Sequence, residues 1–207
     1  MTRATLFSLP LLLVFACTTK TEVNEPGSSP DSGTSSSSGD NGGEVDAGAE
    51  AAEPVPFALT SSAFADGDTL PAKYSCGGAN VSPPLEWTAG PEGTKSYAIV
   101  FVDTNNGLTH SAIYDIPAAT TSLPEKVENA YEPSNVPGAK QPKSYKTTLF
   151  GYAGPCPNAE HTYVFTIYAL DVDTLPDTTE ATTKEQIATA AKAHDLASAK
   201  LSVKYAP

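Results

Sequence analysis

The sequence predicts a mainly β domain, an antiparallel β-sandwich with a C-terminal helix. Three apolar runs rich in branched and aromatic residues point to it: "SYAIVFVD" (96–103), "HSAIYDIP" (110–117) and "HTYVFTIYALD" (161–171). Each has the length and composition of a buried strand. Gly and Pro punctuate the chain between them, as turns require. A helical pattern stands out only in "TTKEQIATAAKAHDLA" (182–197), near the end of the chain. Many strands and one late helix suit a sandwich with a helical appendage.

Two segments precede that domain. Residues 1–16 read as a signal peptide: Arg3 is the lone positive charge, and Leu6 to Phe15 is apolar apart from Ser8 and Pro10. The stretch is shorter than the roughly 20 residues of a membrane span. It ends in "VFAC", a small residue before Cys17, which resembles a bacterial lipoprotein cleavage box with Cys17 as the lipidated residue. Residues 17–53 read as a disordered Ser/Gly/acidic tether, since they hold almost no large apolar side chain to offset chain entropy. A flexible chain of that length spans about 30–35 Å.

Residues 54–207 make one domain of ordinary size. "PFALTSSAF" (56–64) is a candidate first strand, and "ADGDTLPAKYSCGGANVSPPLEW" (65–87) is rich in turns. In the run at 161–171, His161, Tyr163, Phe165 and Ile167 fall on one face, and Thr162, Val164, Thr166 and Tyr168 on the other. The helix is expected to place Ile187, Ala190, Ala191 and His194 on one side. Thr182 or Thr183 is its N-cap, and Thr182 with Glu185 has capping-box spacing. "AKLSVKYA" (199–206) alternates like a closing strand.

Charge excludes one class of function. The domain holds sixteen acidic residues against ten lysines, a net of −6, and no arginine. Nucleic-acid binding leans on Arg and Lys for phosphate contacts, so it is not expected. Any anion site must use Lys, His, hydroxyls or backbone N–H groups.

The chemistry-bearing residues leave several readings open. Cys76 and Cys156 are an even pair in an exported chain, and a disulfide is the default. A nucleophilic Cys156 would need a partner such as His161 and an orienting Asn158, but no known signature is matched. His110, His161, Cys156 and Asp103 are chemically adequate zinc or copper ligands, without the close spacing of a metal motif. His110 and His161 each begin a strand, so the two could meet at one end of a sheet. There the imidazoles could serve an anion, with Asp103 fixing a tautomer and the Gly154-Pro155 turn facing the same hollow. The plainest alternative is a pair of histidines satisfied in a core.

Four separated stretches, "VSPPLEW" (81–87), "GPCP" (154–157), "HTYVFTIYALD" (161–171) and "HDLASAKLSVKY" (194–205), resemble the phosphatidylethanolamine-binding protein family, in its bacterial Raf-kinase-inhibitor-like branch. The resemblance covers most of residues 57–206 in order. It implies a sandwich of antiparallel sheets with C-terminal helical elements, and a small pocket for phosphate-like anions, including phospholipid head groups. Matched residue by residue, it assigns His161 and Tyr163 to the family's His-x-Tyr strand. It assigns His110 to the pocket histidine, Gly154 and Pro155 to the pocket loop, and Asp103 to the first Asp of an Asp-Pro-Asp-x-Pro motif. It also implies a Cys76–Cys156 disulfide beside the pocket. The sequence departs from the family at "DTNNGLTH" (103–110), which lacks both prolines and the second Asp. Thr109 and Ser111 flank His110 where an aromatic neighbour is usual, and Thr162 stands where Arg is common.

The resulting expectation is a non-catalytic binding module without a cofactor or resident metal, held to a bacterial membrane by lipid on Cys17. Its ligand set would be Asp103, His110, Gly154, Pro155, His161 and Tyr163, and its partner an anionic small molecule or phospholipid head group. The alternative is an inhibitor or regulator of an extracytoplasmic protein partner such as a protease. Export follows from the signal peptide. Thr18, in place of an Asp after the lipidated Cys, leans toward the outer membrane, facing the periplasm or the cell surface.

Overall fold

The structure, a computed structural model, describes residues 55–207. The expected signal peptide, Cys17 and the tether lie outside the described residues. Seven strands and one α-helix follow in the order β1 (Leu59–Thr60), β2 (Leu85–Trp87), β3 (Ser96–Asp103), β4 (Leu108–Pro117), β5 (Ser122–Leu123), β6 (His161–Leu170), α1 (Lys184–Ala193) and β7 (Asp195–Tyr205). A single 3-10 turn spans Ala72–Tyr74.

The strands form two antiparallel sheets, β1-β2-β5 and β4-β3-β6-β7. Period-two alternation sends each side of β3 to a different core. Tyr97, Ile99 and Phe101 join Leu85, Trp87 and Leu123 of the small sheet in one apolar cluster. Ala98 and Val100 face the other way, against Ile187 and Ala191 of α1. Burying a side chain such as Ile99 stabilises the fold by about 1.5–3 kcal/mol. The long strand pairs are therefore held from both faces, and the ends of β3 and β6 can carry polar residues.

Several element boundaries depart from the sequence expectation, for local reasons. The run at 56–64 yields only the two residues of β1, because the Ser61 hydroxyl donates to the Pro84 carbonyl at 2.7 Å and accepts from Ala63 N–H at 3.1 Å. Such side-chain bonds compete with a strand ladder. The N-cap of α1 is Thr183, boxed with Gln186 rather than Thr182 with Glu185. The helix stops at Ala193, not 197, because residues 195–205 pair along β6. That ladder overrides the helical propensity of the Ala-rich segment.

Two irregularities matter in β4. Its register against β3 slips once between Tyr97 and Ile99 and again between Phe101 and Val102. At the second slip, Phe101 pairs with Ser111 and Val102 with Thr109, which leaves His110 as the extra residue of a bulge. A bulge re-aims a side chain relative to the plain alternation.

Candidate functional site

The site forms where β3, β4 and β6 end together. Asp103 closes β3 and pairs in register with Tyr163 of β6. The turn after it, "TNNG", supplies local donors: the N–H of Asn105 bonds Asp103 Oδ1 at 2.9 Å, and the Asn106 amide bonds Oδ2 at 3.0 Å. Gly107 sits at φ +75°, a conformation that Gly adopts without steric cost, and its N–H closes the turn on the Asp103 carbonyl at 2.9 Å. His161 then donates from Nδ1 to Asp103 Oδ2 at 2.7 Å. Burial first, and the Asp103 charge second, push the nearby Tyr163 phenol well above its ordinary pKa. Asp103 is only 2% exposed, yet three donors satisfy its carboxylate.

His110 reaches the same hollow through its bulge. Its ring packs against Phe101 and Tyr163, each with centroids 5.4 Å away, and under Tyr145 at 4.4 Å. Its Nδ1 lies 3.0 Å from the Ala153 carbonyl, which can only accept, so Nδ1 carries the proton. Burial pushes the His110 pKa below its ordinary value of 6.5, against the raising effect of the Ala153 bond and of Asp103. The ring is neutral at physiological pH.

The loop from Gly151 to Pro157 supplies that carbonyl and one wall. Gly154 passes so close to the backbone of Tyr74 that a Cβ would run into the Tyr74 carbonyl. Its N–H donates to Asn80 Oδ1 at 2.8 Å, and Tyr152 reaches the Tyr74 carbonyl at 2.7 Å. The Pro155 carbonyl accepts from Cys76 N–H at 2.9 Å. Cys76 and Cys156 are joined in a disulfide, with Cα atoms 5.4 Å apart across a sequence separation of 80. The disulfide leaves Cys156 no thiolate for nucleophilic attack or metal ligation. Among the described residues, no group of three His, Cys, Asp or Glu side chains is placed to hold a metal ion.

The result is a pocket of about 90 Å³ whose lining includes Asp103, His110, His161 and Tyr163. The sequence brought these four forward, and the fold gathers them. Gly154 and Pro155 need correction: both are buried behind the wall as buttresses, and Cys156 and Pro157 line the pocket in their place. Asn106, Leu108 and Tyr145 also line it, and sequence reasoning missed them. Asn106-Gly107 carried a usable signal, since Asn-Gly marks a tight hairpin. Tyr145 carried none, coming from an irregular loop. It supplies from a distance the aromatic contact to His110 that the resemblance placed next to it in sequence.

Comparison with known proteins bears on the family and the fold. The family profile described as "Phosphatidylethanolamine-binding protein" matches residues 60–206. A UPF0098 protein of Methanothermobacter thermautotrophicus is 38% identical over 148 residues, covering 69% of this chain and 94% of the relative. A Mycobacterium tuberculosis protein with lipoprotein in its name, LppC, is 36% identical over 131 residues, covering 62% of each chain. The crystal structure of Escherichia coli YbcL, described as a member of the mammalian PEBP family, superposes with a TM-score of 0.66 at 28% identity, covering 73% of this chain and 98% of that one. CT736 of Chlamydia trachomatis superposes with a TM-score of 0.61 at 34% identity, covering 73% and 97%. The chain belongs to the phosphatidylethanolamine-binding protein family.

Proposed function

We propose that this member of the phosphatidylethanolamine-binding protein family is a non-catalytic binding module for phosphate-bearing or other anionic small ligands of the phospholipid head-group kind. The observation that carries the reading is the convergence of His110 and His161 on one small pocket, each imidazole held from behind through Nδ1. Two oriented rings can share the oxygens of one oxyanion. At about 90 Å³ the pocket is far smaller than the roughly 300–1,000 Å³ of drug-sized ligand sites. It fits a phosphate group and leaves any acyl chain outside, against the rim at Leu108, which is 37% exposed, and Pro157. The pocket presents no nucleophile with an adjacent base, which supports binding rather than turnover. The test is a histidine-nitrogen NMR titration with inorganic phosphate and phosphoethanolamine. His110 and His161 should shift together and saturate while His194 stays still. Silence from both rings at millimolar ligand would remove the reading.

The anchor belongs to the same proposal. Lipid on Cys17 would hold the domain to a bacterial membrane, in the outer membrane facing the periplasm or the cell surface. A relative named as a lipoprotein, together with the disulfide, supports export. Labelled fatty acid should enter the wild-type chain and not the Cys17→Ser variant.

A further inference from the structure

The hydrogen-bond roles in the pocket say more than that an anion fits. The Nδ1–H of His110 is committed to the Ala153 carbonyl at 3.0 Å, and that of His161 to Asp103 Oδ2 at 2.7 Å. A neutral imidazole carries one N–H, so in its neutral form each ring turns a bare Nε2 lone pair to its other side. The Tyr145 hydroxyl is committed too, donating to the Gly154 carbonyl at 3.3 Å. Of the side-chain polar hydrogens on the wall, the Tyr163 hydroxyl's and one on the Asn106 amide are left over, the other amide hydrogen being bound to Asp103; both are neutral donors. No Lys or Arg lines the pocket. A fully deprotonated oxyanion entering it would meet two lone pairs and a carboxylate, and nothing cationic to offset them.

We propose that the pocket takes an oxyanion only together with a proton from solvent, held between an anion oxygen and the Nε2 of His110 or His161. The inference rests on the anion-binding reading above and adds its chemical condition. No covalent bond changes: one solvent proton and one anion enter, and the imidazole becomes a two-sided donor, through Nδ1 to the protein and through Nε2 to the ligand. The groups acting on the two rings come from every neighbouring element. Asp103 at the end of β3 favours a protonated His110, and a charge on His161 of β6 disfavours it. Lys184 of α1 opposes protonation of His110, although Glu185 at 2.8 Å offsets its charge. Tyr145 and Tyr163 stay neutral, both pushed up by burial. Tyr205 of β7 pairs in register with His161 of β6.

A bound proton links affinity to pH with a definite sign. The complex holds one proton more than its separate parts, so binding tightens about tenfold for each unit of pH lost, until the empty site protonates by itself. The chemistry also ranks ligands. A phosphomonoester with a second pKa near 6 can bring its own proton, whereas a phosphodiester or sulfate must draw it onto the protein.

The test is titration calorimetry of the whole chain with inorganic phosphate and, separately, sulfate at about pH 8, where free histidine is neutral. Each titration is repeated in buffers of different ionisation enthalpy. The expected result for sulfate is a binding heat that varies with the buffer, corresponding to uptake of about one proton for each anion bound; phosphate, whose dianion keeps a proton of its own at this pH, should take up less. Sulfate has no titrating proton in this range, so its uptake belongs to the rings. Saturable sulfate binding with a heat independent of buffer overturns the coupling and leaves the anion-binding reading standing. No saturable heat and no histidine resonance shift with either anion, down to about pH 6, overturns both.

Discussion

Replacing Asp103 with Asn puts an NH2 group where donors already converge. The carboxylate accepts from Asn105 N–H, the Asn106 amide and His161 Nδ1. An amide oxygen can keep the Asn105 bond, but its NH2 then faces the other donors. His161 has an answer: it can move its proton to Nε2 and accept at Nδ1. Asn106 has none, because its own oxygen is held by Leu108 N–H at 2.9 Å. An unmet buried donor costs about 1–3 kcal/mol, and losing a charge-assisted bond costs a similar amount. The variant is therefore expected to lose roughly 2–4 kcal/mol, a fall in melting temperature of roughly 5–15 °C for a domain of this size. The tautomer switch has a second consequence. His161 then offers an Nε2–H without taking up a proton, so proton uptake on sulfate binding should drop well below one. Thermal unfolding followed by circular dichroism reads the first effect, and calorimetry in several buffers the second. A wild-type melting temperature would refute the donor network. A destabilised variant that still takes up a full proton would refute the tautomer reasoning.

Other consequences are simpler. Removing the disulfide with Cys76→Ser and Cys156→Ser frees an 80-residue loop in the unfolded chain. It should lower stability by about 4 kcal/mol on the chain-entropy account, read as a shift in the urea midpoint; an oxidised wild type whose midpoint ignores reductant would contradict it. Gly154→Ala should cost about 1–3 kcal/mol through the collision with the Tyr74 carbonyl, measurable in the same urea series. His110 gives a pH dependence. Its folded pKa lies below 6.5, so the unfolded chain binds the extra proton as acid is added. Its contribution to stability is whole above 6.5 and is lost as pH falls through the lowered folded value. Urea midpoints across that window should fall with acid in the wild type, and His110→Gln should flatten the slope.

The long central strands were legible because both their faces are buried. "SYAIVFVD" reads as a strand from composition alone, and its bounds match β3. β2 and β5, at three and two residues, are too short to leave a periodic trace. His110 shows the harder limit. Plain alternation in "HSAIYDI" puts His110 on the face of Ala112 and Tyr114, which pack beside α1. The bulge moves it to the face of Phe101 and Tyr163 instead. Nothing in the local sequence specifies that slip, which arises from how the β3–β4 ladder ends at the Asn-Gly turn. Gly154 and Pro155 were misplaced for a related reason. Their residue types announce a constrained loop, but which side of the loop faces the hollow is decided by Tyr74 and Asn80, far away in sequence.

The rebuilt "DTNNGLTH" rim can be read as a substitution of dipoles for charge. The family motif it resembles would supply a second carboxylate and two prolines. Here one carboxylate remains, and two asparagines stiffen the turn around it: Asn106 through Asp103 and Leu108 N–H, and Asn105 through Thr162 N–H at 2.8 Å. Their donors meet the Asp103 carboxylate at 2% exposure, and that carboxylate holds His161 through Nδ1. Fewer acidic groups around the rings mean less help for an imidazolium in the empty site. Burial lowers His110 with Asp103 as its nearby carboxylate. On the proposed reading, the altered rim makes the charge at His110 conditional on the ligand, which brings, or draws in, the proton that holds it.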